Sequence, residues 1–341
     1  MVLPSLAKRK TLPRRTIWLL HLKFPGKYGR LLTGVALFLT LWPVLHFSQG
    51  NGDYQTIPAL FFSLILAYII PVFGFITARS KEALEELRPQ LELSESEFEE
   101  AKHWLYSSTT RQTVIRLSLG FLGGVAHISF LRGSLEAAAL AAVSGLSGLL
   151  TAMGAVAVWM VMTTVITTLT QQSIQFSRLG AKHVRVSLLN RGALAPFARV
   201  SISTSLAIIG ALALFPLIGF EGEFHLAESL PGAIAALVPL VIMLVIPVWP
   251  VHQRLLAQKD SELAVMNEKI QTCIASRTQE GPDTAYLERL APLLSYRREI
   301  ASSSTWPFDI GNITRFSLYL IIPPLTWAGA ALIENLVDSL L

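Results

Sequence analysis

Seven stretches of this chain, about 31–48, 57–77, 113–131, 139–168, 200–219, 230–250 and 313–335, are long and apolar enough to cross a hydrocarbon core, which takes roughly 17–25 residues of helix. Within such a core every backbone N–H and C=O needs a partner inside the protein, and a helix supplies it locally. The sequence therefore predicts an all-α integral membrane protein with seven transmembrane helices. Composition points the same way. Of 341 residues, 52% are hydrophobic and 15% charged, where a soluble domain carries about 25% charged residues.

The placement of the charges fixes an orientation. Lys and Arg near span ends are retained on the cytoplasmic side, and all but Arg132 of the 28 basic residues fall in or at the mouths of segments 1–30, 78–112, 169–199 and 251–312. An N-terminus in the cytoplasm and an external C-terminus follow, in the cell (inner) membrane. The excess of 28 bases over 23 acids is explained by this retention, so no nucleic-acid partner is expected. The basic start runs through Pro13 and Pro25 with no small-residue cleavage pattern, so the first span is expected to stay as an anchor. Cys273 is the only cysteine, which excludes an intrachain disulfide.

Several features recur in the same order along the chain. "VIRLSL" (114–119) and "ITRFSL" (313–318) stand at the cytoplasmic entrances of the third and seventh spans. "IIPVFGF" (69–75) and "VIPVWPV" (245–251) end the second and sixth, and Pro43 and Pro58 have counterparts in Pro216 and Pro231. The order predicts a parallel 3+1+3 repeat, 31–131 and 200–335, with 139–168 as a linker helix that lets the second copy enter in the same direction. This plan is similar in layout to that of the SWEET sugar transporters. None of that family's sequence motifs is present, and those proteins begin outside.

Outside the spans, 1–30 is a basic juxtamembrane segment without an acid, in which Trp18, Leu19, Leu20, Leu22 and Phe24 stand among bases. It suits a bilayer with anionic headgroups. The insert 78–112 carries Leu84, Leu87 and Leu91 at helical spacing, then Ser94 and Glu97 as a capping box before Phe98, Ala101 and Leu105. The insert 251–312 carries one stripe at Leu263, Met266, Ile270 and Cys273 and another at Leu287, Leu290 and Leu294. The two small helical cytoplasmic inserts are expected to cover each other, with a homo-oligomer or a cytoplasmic protein partner as the alternative. A basic loop, 169–199, and an external tail, 336–341, complete the domain plan.

Among candidate site residues, Arg116 and Arg315 come first, because an arginine one turn into a span must snorkel or find a partner. Related by the repeat, the two form a positive gate. In "TTVITTLTQQ" (163–172) of the fourth span, Thr164, Thr168 and Gln171 or Gln172 share one side of a helix. Threonine hydroxyls can bond back to the preceding turn; otherwise the stripe lines a polar path. Pro71, Pro247 and Pro323 are candidate hinges, since proline frees a backbone carbonyl. Ser144, Gly148 and Ala152, like Gly120 and Gly124, have the spacing of close helix packing.

These features predict a transporter or channel for a small polar or anionic solute. The alternative is a membrane scaffold that recruits a partner through its cytoplasmic helices. A third reading is enzymatic: "GLSG" (145–148) resembles the Gly-x-Ser-Gly pattern of the rhomboid intramembrane proteases, which implies Ser147 as nucleophile with His127 at a comparable depth. Rhomboids place that histidine on their sixth span, and 230–250 contains none. The seven histidines are scattered, so no metal site is expected. No Walker or Rossmann motif appears, so no cofactor is expected either.

Overall fold

The structure is a computed structural model that describes residues 14–47, 56–188, 190–214, 238–275 and 284–308, with further helical positions at Thr314, Ser317, Leu318, Ile321, Leu325, Gly329 and Leu332. In order these form β1 (Arg14–Thr16), a 3-10 turn (Trp18–His21), α1 (Gly29–Phe47), α2 (Thr56–Leu87), α3 (Glu95–Tyr106) and β2 (Ser107–Thr109). There follow α4 (Thr110–Leu131), α5 (Leu135–Val143), α6 (Leu146–Lys182), α7 (Ala195–Leu212), α8 (described over 238–245), α9 (Trp249–Ala275) and α10 (Thr284–Ser302). Six helical stretches among the described residues are long and apolar enough to cross a membrane: Gly29–Phe47, Ala59–Gln90, Thr110–Leu131, Leu146–Lys182, Gly192–Leu212 and Val238–Ala275. The chain is thus an all-α protein with the build of a multi-pass membrane protein. Most of the seventh apolar stretch, 313–335, lies outside the described residues.

α2 stands in the middle of the bundle, with α1, α6 and α7 packed against it, and α4 joins through α6. The outer helices turn large apolar side chains outward, among them Leu39 on α1, 61% exposed, and Leu122 on α4, 62% exposed. Such faces call for an apolar surround, either hydrocarbon or another protein surface. Where α4 crosses α6 there is no room for side chains. A Cβ on Gly120 would stand 2.5 Å from the Cα of Met160, and one on Gly124 would stand 2.8 Å from the Cα of Val156. This is the small-residue contact that lets two backbones approach in a membrane.

The 139–168 stretch is not one helix. α5 ends at Val143, the Ser144 hydroxyl donates to the Ala141 carbonyl at 2.7 Å, and α6 begins at Leu146. Ser144, Gly148 and Ala152 therefore do not share one helical face. α6 then continues past 168 to Lys182, so much of 169–199 is helix, and α2 likewise runs beyond 77 to Leu87. Continuous hydropathy marks where a helix can lie in lipid but not where it starts and stops, which is set by caps and glycines.

Beyond the apolar stretches these long helices enter a second core at the charged end. Leu84, Leu87 and Leu91 meet Phe98, Ala101 and Leu105 of α3 there, together with Phe176 and Leu179 of α6, Phe197 of α7, Leu255 and Met266 of α9 and Ile300 of α10. The ends are capped by polar side chains. Ser94 and Glu97 form a reciprocal capping box on α3, and Thr109 and Gln112 form one on α4. Lys259 closes the end of α10 by donating to the carbonyls of Ala301 (2.7 Å) and Ser303 (2.8 Å). On α10 the face turned to the core is Leu293, Tyr296 and Ile300, while Leu287 and Leu294 are exposed. Apolar residues occupy two adjacent faces of this helix, so periodicity alone cannot choose between them.

Candidate functional site: a basic junction at the charged end

The segment 14–21 builds one wall of the site. β1 pairs antiparallel with β2, Arg14 opposite Thr109 and Thr16 opposite Ser107, and the Ile17 N–H donates to the Tyr106 carbonyl at 3.0 Å. Ile17 and Leu19 are then buried in the bundle core, whereas Leu22 and Phe24 stay exposed. The pairing carries Arg14 over the face of Trp104, 3.5 Å from the ring centroid, where it donates to the Ser107 hydroxyl (3.0 Å) and carbonyl (2.7 Å). Burial, and next the charge of nearby Arg116, bring the Arg14 guanidinium down to about 10, with Glu100 pulling the other way. It remains a cation at neutral pH.

Two of the residues singled out in the sequence meet here. Arg116 of α4 is 7% exposed and donates to the side-chain oxygen of Gln171 on α6 at 2.6 Å. Gln171 is uncharged, and no carboxylate forms an ion pair with Arg116 among the described residues. Its positive charge is held by a dipole alone. Arg315, the residue paired with it in the expected repeat, has a side chain outside the described residues, as does Pro323. Thr164 and Thr168 are both buried, and their hydroxyls donate to the carbonyls of Met160 (2.8 Å) and Thr164 (2.7 Å) one turn back.

Gln172, rather than Gln171, is the deeply buried amide of α6. Its nitrogen donates to the Leu105 carbonyl at 2.6 Å and to the Thr77 hydroxyl at 3.3 Å, and its oxygen accepts from Ser80 at 3.4 Å. One side chain thereby ties α2, the end of α3 and α6 at the level where the bundle core gives way to the charged-end core. The sequence marked 171 or 172 as polar in an apolar helix but not which would be enclosed. The strand pair was not foreseen, since three residues of "RRT" and "SST" carry no readable alternation.

The prolines show how freed carbonyls are used. Pro71 lacks an N–H, so the carbonyl of Ala67 has no helical donor. Gly34 of α1 lies against that carbonyl, and a Cβ there would be 2.8 Å from it. Pro247, in the turn at 246–248 between α8 and α9, frees the carbonyl of Met243 in the same way. The Ser201 hydroxyl of α7 donates to it at 3.1 Å and also contacts the Leu244 carbonyl. In each case the preceding long helix closes on the gap.

A cleft of about 310 Å³ opens beside the junction, lined by Lys23, Arg30 and Lys81 together with Thr16, Thr77, Tyr106 and apolar residues from the 3-10 turn and α2. No acidic residue lines it among the described residues. The Ser147 and His127 side chains are not brought together. The His127 ring packs on Trp159, 5.6 Å between centroids, and Trp159 stands roughly 18 Å along α6 from Ser147 at 1.5 Å per residue. Among the described residues no group of His, Cys, Asp and Glu side chains is placed to hold a metal ion. Comparison with family models, with curated proteins and with solved structures returns no match to this chain.

Proposed function

We propose that this protein is a transporter or channel for a small anionic or polar solute in the cell (inner) membrane, with its N-terminus cytoplasmic and its C-terminus external. The observation that carries the reading is Arg116, almost fully buried in an apolar helix and, among the described residues, paired only with the neutral Gln171. A cation in that position is expensive unless function retains it. Held without a counter-charge beside Arg14, it draws anions toward the charged mouth of the bundle. Arg315, with Arg116, would complete the gate. Thr164, Thr168 and Gln171 would stand along the path, the two threonines needing to exchange their backbone bonds for solute or water.

The architecture that goes with this function is a parallel 3+1+3 arrangement of seven helices, with Pro71, Pro247 and Pro323 as hinges. Its support is the approach of the preceding helix to each carbonyl that a proline frees, Gly34 of α1 against Ala67 and Ser201 of α7 on Met243. The scaffold reading draws on a different observation. The α9–α10 hairpin leaves Leu256, Ile274, Leu287 and Leu294 exposed, a surface on which a cytoplasmic partner could dock.

Anion efflux from vesicles reconstituted with purified protein tests the proposal. Arg116→Gln is expected to lower the efflux by about tenfold, the low end of the range for electrostatic steering, and to leave the flux of neutral polar solutes unchanged. Purified protein that passes no anion or small solute above empty liposomes overturns the transport reading in favour of the scaffold.

A further inference from the structure

The cleft beside the junction is a second cationic site, and its chemistry is not that of the Arg116 centre. Three cations, Lys23, Arg30 and Lys81, line it from the loop before α1, from α1 and from α2, and none of them forms an ion pair among the described residues. The Arg30 Nε is buried without a hydrogen-bond acceptor. That guanidinium lies beside Gly74, where a Cβ would stand 3.8 Å from Nε, an ordinary van der Waals contact. Lys81 is held over the Tyr106 ring at 3.6 Å, which fixes the ammonium without neutralising it. Leaving the buried Arg30 Nε without an acceptor is unfavourable in the free protein. An anion with several acceptor oxygens would relieve it, and a phosphate can present oxygens to a guanidinium and two ammonium groups at once.

The rest of the lining says what the phosphate is attached to. Leu19, Leu20, Leu22, Ile70 and Pro71 supply an apolar wall to the same cleft. The wall lies where α1 begins and where α2 leaves its apolar stretch, the depth at which headgroups meet acyl chains. A free phosphate would leave that wall unused. We infer that this cleft is a binding site for a phosphate-bearing lipid, its phosphate on Lys23, Arg30 and Lys81 and its first methylenes against Leu20 and Ile70. The volume is in the range of small-ligand sites, and basic pockets between membrane helices on the cytoplasmic side are suited to lipid headgroups. The site does not depend on transport and would serve a scaffold equally.

The test uses the full chain in detergent with short-chain phosphatidic acid as probe, against a neutral diacylglycerol of the same chain length and inorganic phosphate. Saturable binding of one phosphatidic acid per chain is expected. Each of Lys23→Gln, Arg30→Gln and Lys81→Gln should weaken it about fivefold, and the triple variant about a hundredfold. Lys269→Gln on α9 removes the same charge elsewhere and should change nothing. If the triple variant does not fold, Lys23→Gln at an exposed residue still decides the matter. Equal binding of diacylglycerol, equal weakening by Lys269→Gln, or inorganic phosphate binding as tightly as the lipid would each overturn the inference, the last in favour of a free-phosphate site.

Discussion

Along α6 one helix is packed by two different rules. Over its first turns it meets α4 backbone to backbone at Gly120 and Gly124 and leaves Leu146, Leu149 and Met153 exposed. Over its last turns it buries Phe176 and Leu179 among α3, α7 and α9, and neighbouring charges pair at the surface, as Arg199 does with Glu86 at 2.6 Å. The difference follows from the solvent. In lipid, side chains gain nothing by hiding from a medium as apolar as themselves, so close contact and internal hydrogen bonds hold helices together. In water the apolar side chains themselves are driven inward. Gln172 stands at the change between the two regimes, where a polar group can be both buried and fully bonded.

The two packing regimes should differ most when a large apolar side chain is truncated on each side of that level. Phe176→Ala, in the charged-end core, should lower the unfolding free energy by about 3–5 kcal/mol. Leu122→Ala on the outer face of α4 should leave it nearly unchanged, because detergent or lipid replaces the lost contact. Thermal melting in detergent distinguishes them, and a Leu122→Ala variant as unstable as Phe176→Ala would mean that this face is covered by protein. Gly120→Ala comes next. A methyl group pointed at the Met160 backbone must force α4 and α6 apart, at about 1–3 kcal/mol, whereas Gly192→Ala, where no atom lies within 4 Å of the added Cβ, should be tolerated.

A smaller effect belongs to the water-facing rules alone. Ser94→Ala removes the α3 cap and should cost about 1 kcal/mol. The same change alters a pH response. Glu97 is held below the ordinary glutamate range, first by the Ser94 backbone N–H and then by its hydroxyl. Because the folded value is the lower one, this stabilisation is complete above the ordinary glutamate pKa and is lost as pH falls through the folded value. Melting curves between pH 3 and 6 should show a smaller acid-side loss in Ser94→Ala than in the native chain. Least of all is expected from Glu92→Gln. Its ion pair with Arg185, at 2.9 Å, is exposed at both ends, and its removal should shift stability by no more than about 0.5 kcal/mol.

What was legible in the sequence is what depends on neighbours along the chain. The capping box at Ser94 and Glu97, the stripe at Phe98, Ala101 and Leu105, and the close-packing glycines 120 and 124 all stand within one helix, and a helix sets such neighbours at fixed spacing. Arg116 could be marked because a guanidinium in an apolar run is anomalous wherever the run folds. Its partner could not be named, since Gln171 is 55 positions away and reaches it only across the α4–α6 contact. The cleft was harder still. Lys23, Arg30 and Lys81 read as ordinary bases at a membrane edge until α1 and α2 are laid side by side.

Hydropathy and hydrogen-bond satisfaction act locally, so a helical chain of successive apolar stretches with its bases gathered beside them could be read before any contact was known. Which amide of the pair 171 and 172 is enclosed, which face of α10 turns inward, and the entry of residues 14–19 as a strand and a buried turn were settled by tertiary contacts. Those choices depend on contacts between distant segments, where several faces of similar hydrophobicity compete and the geometry of closest approach selects one.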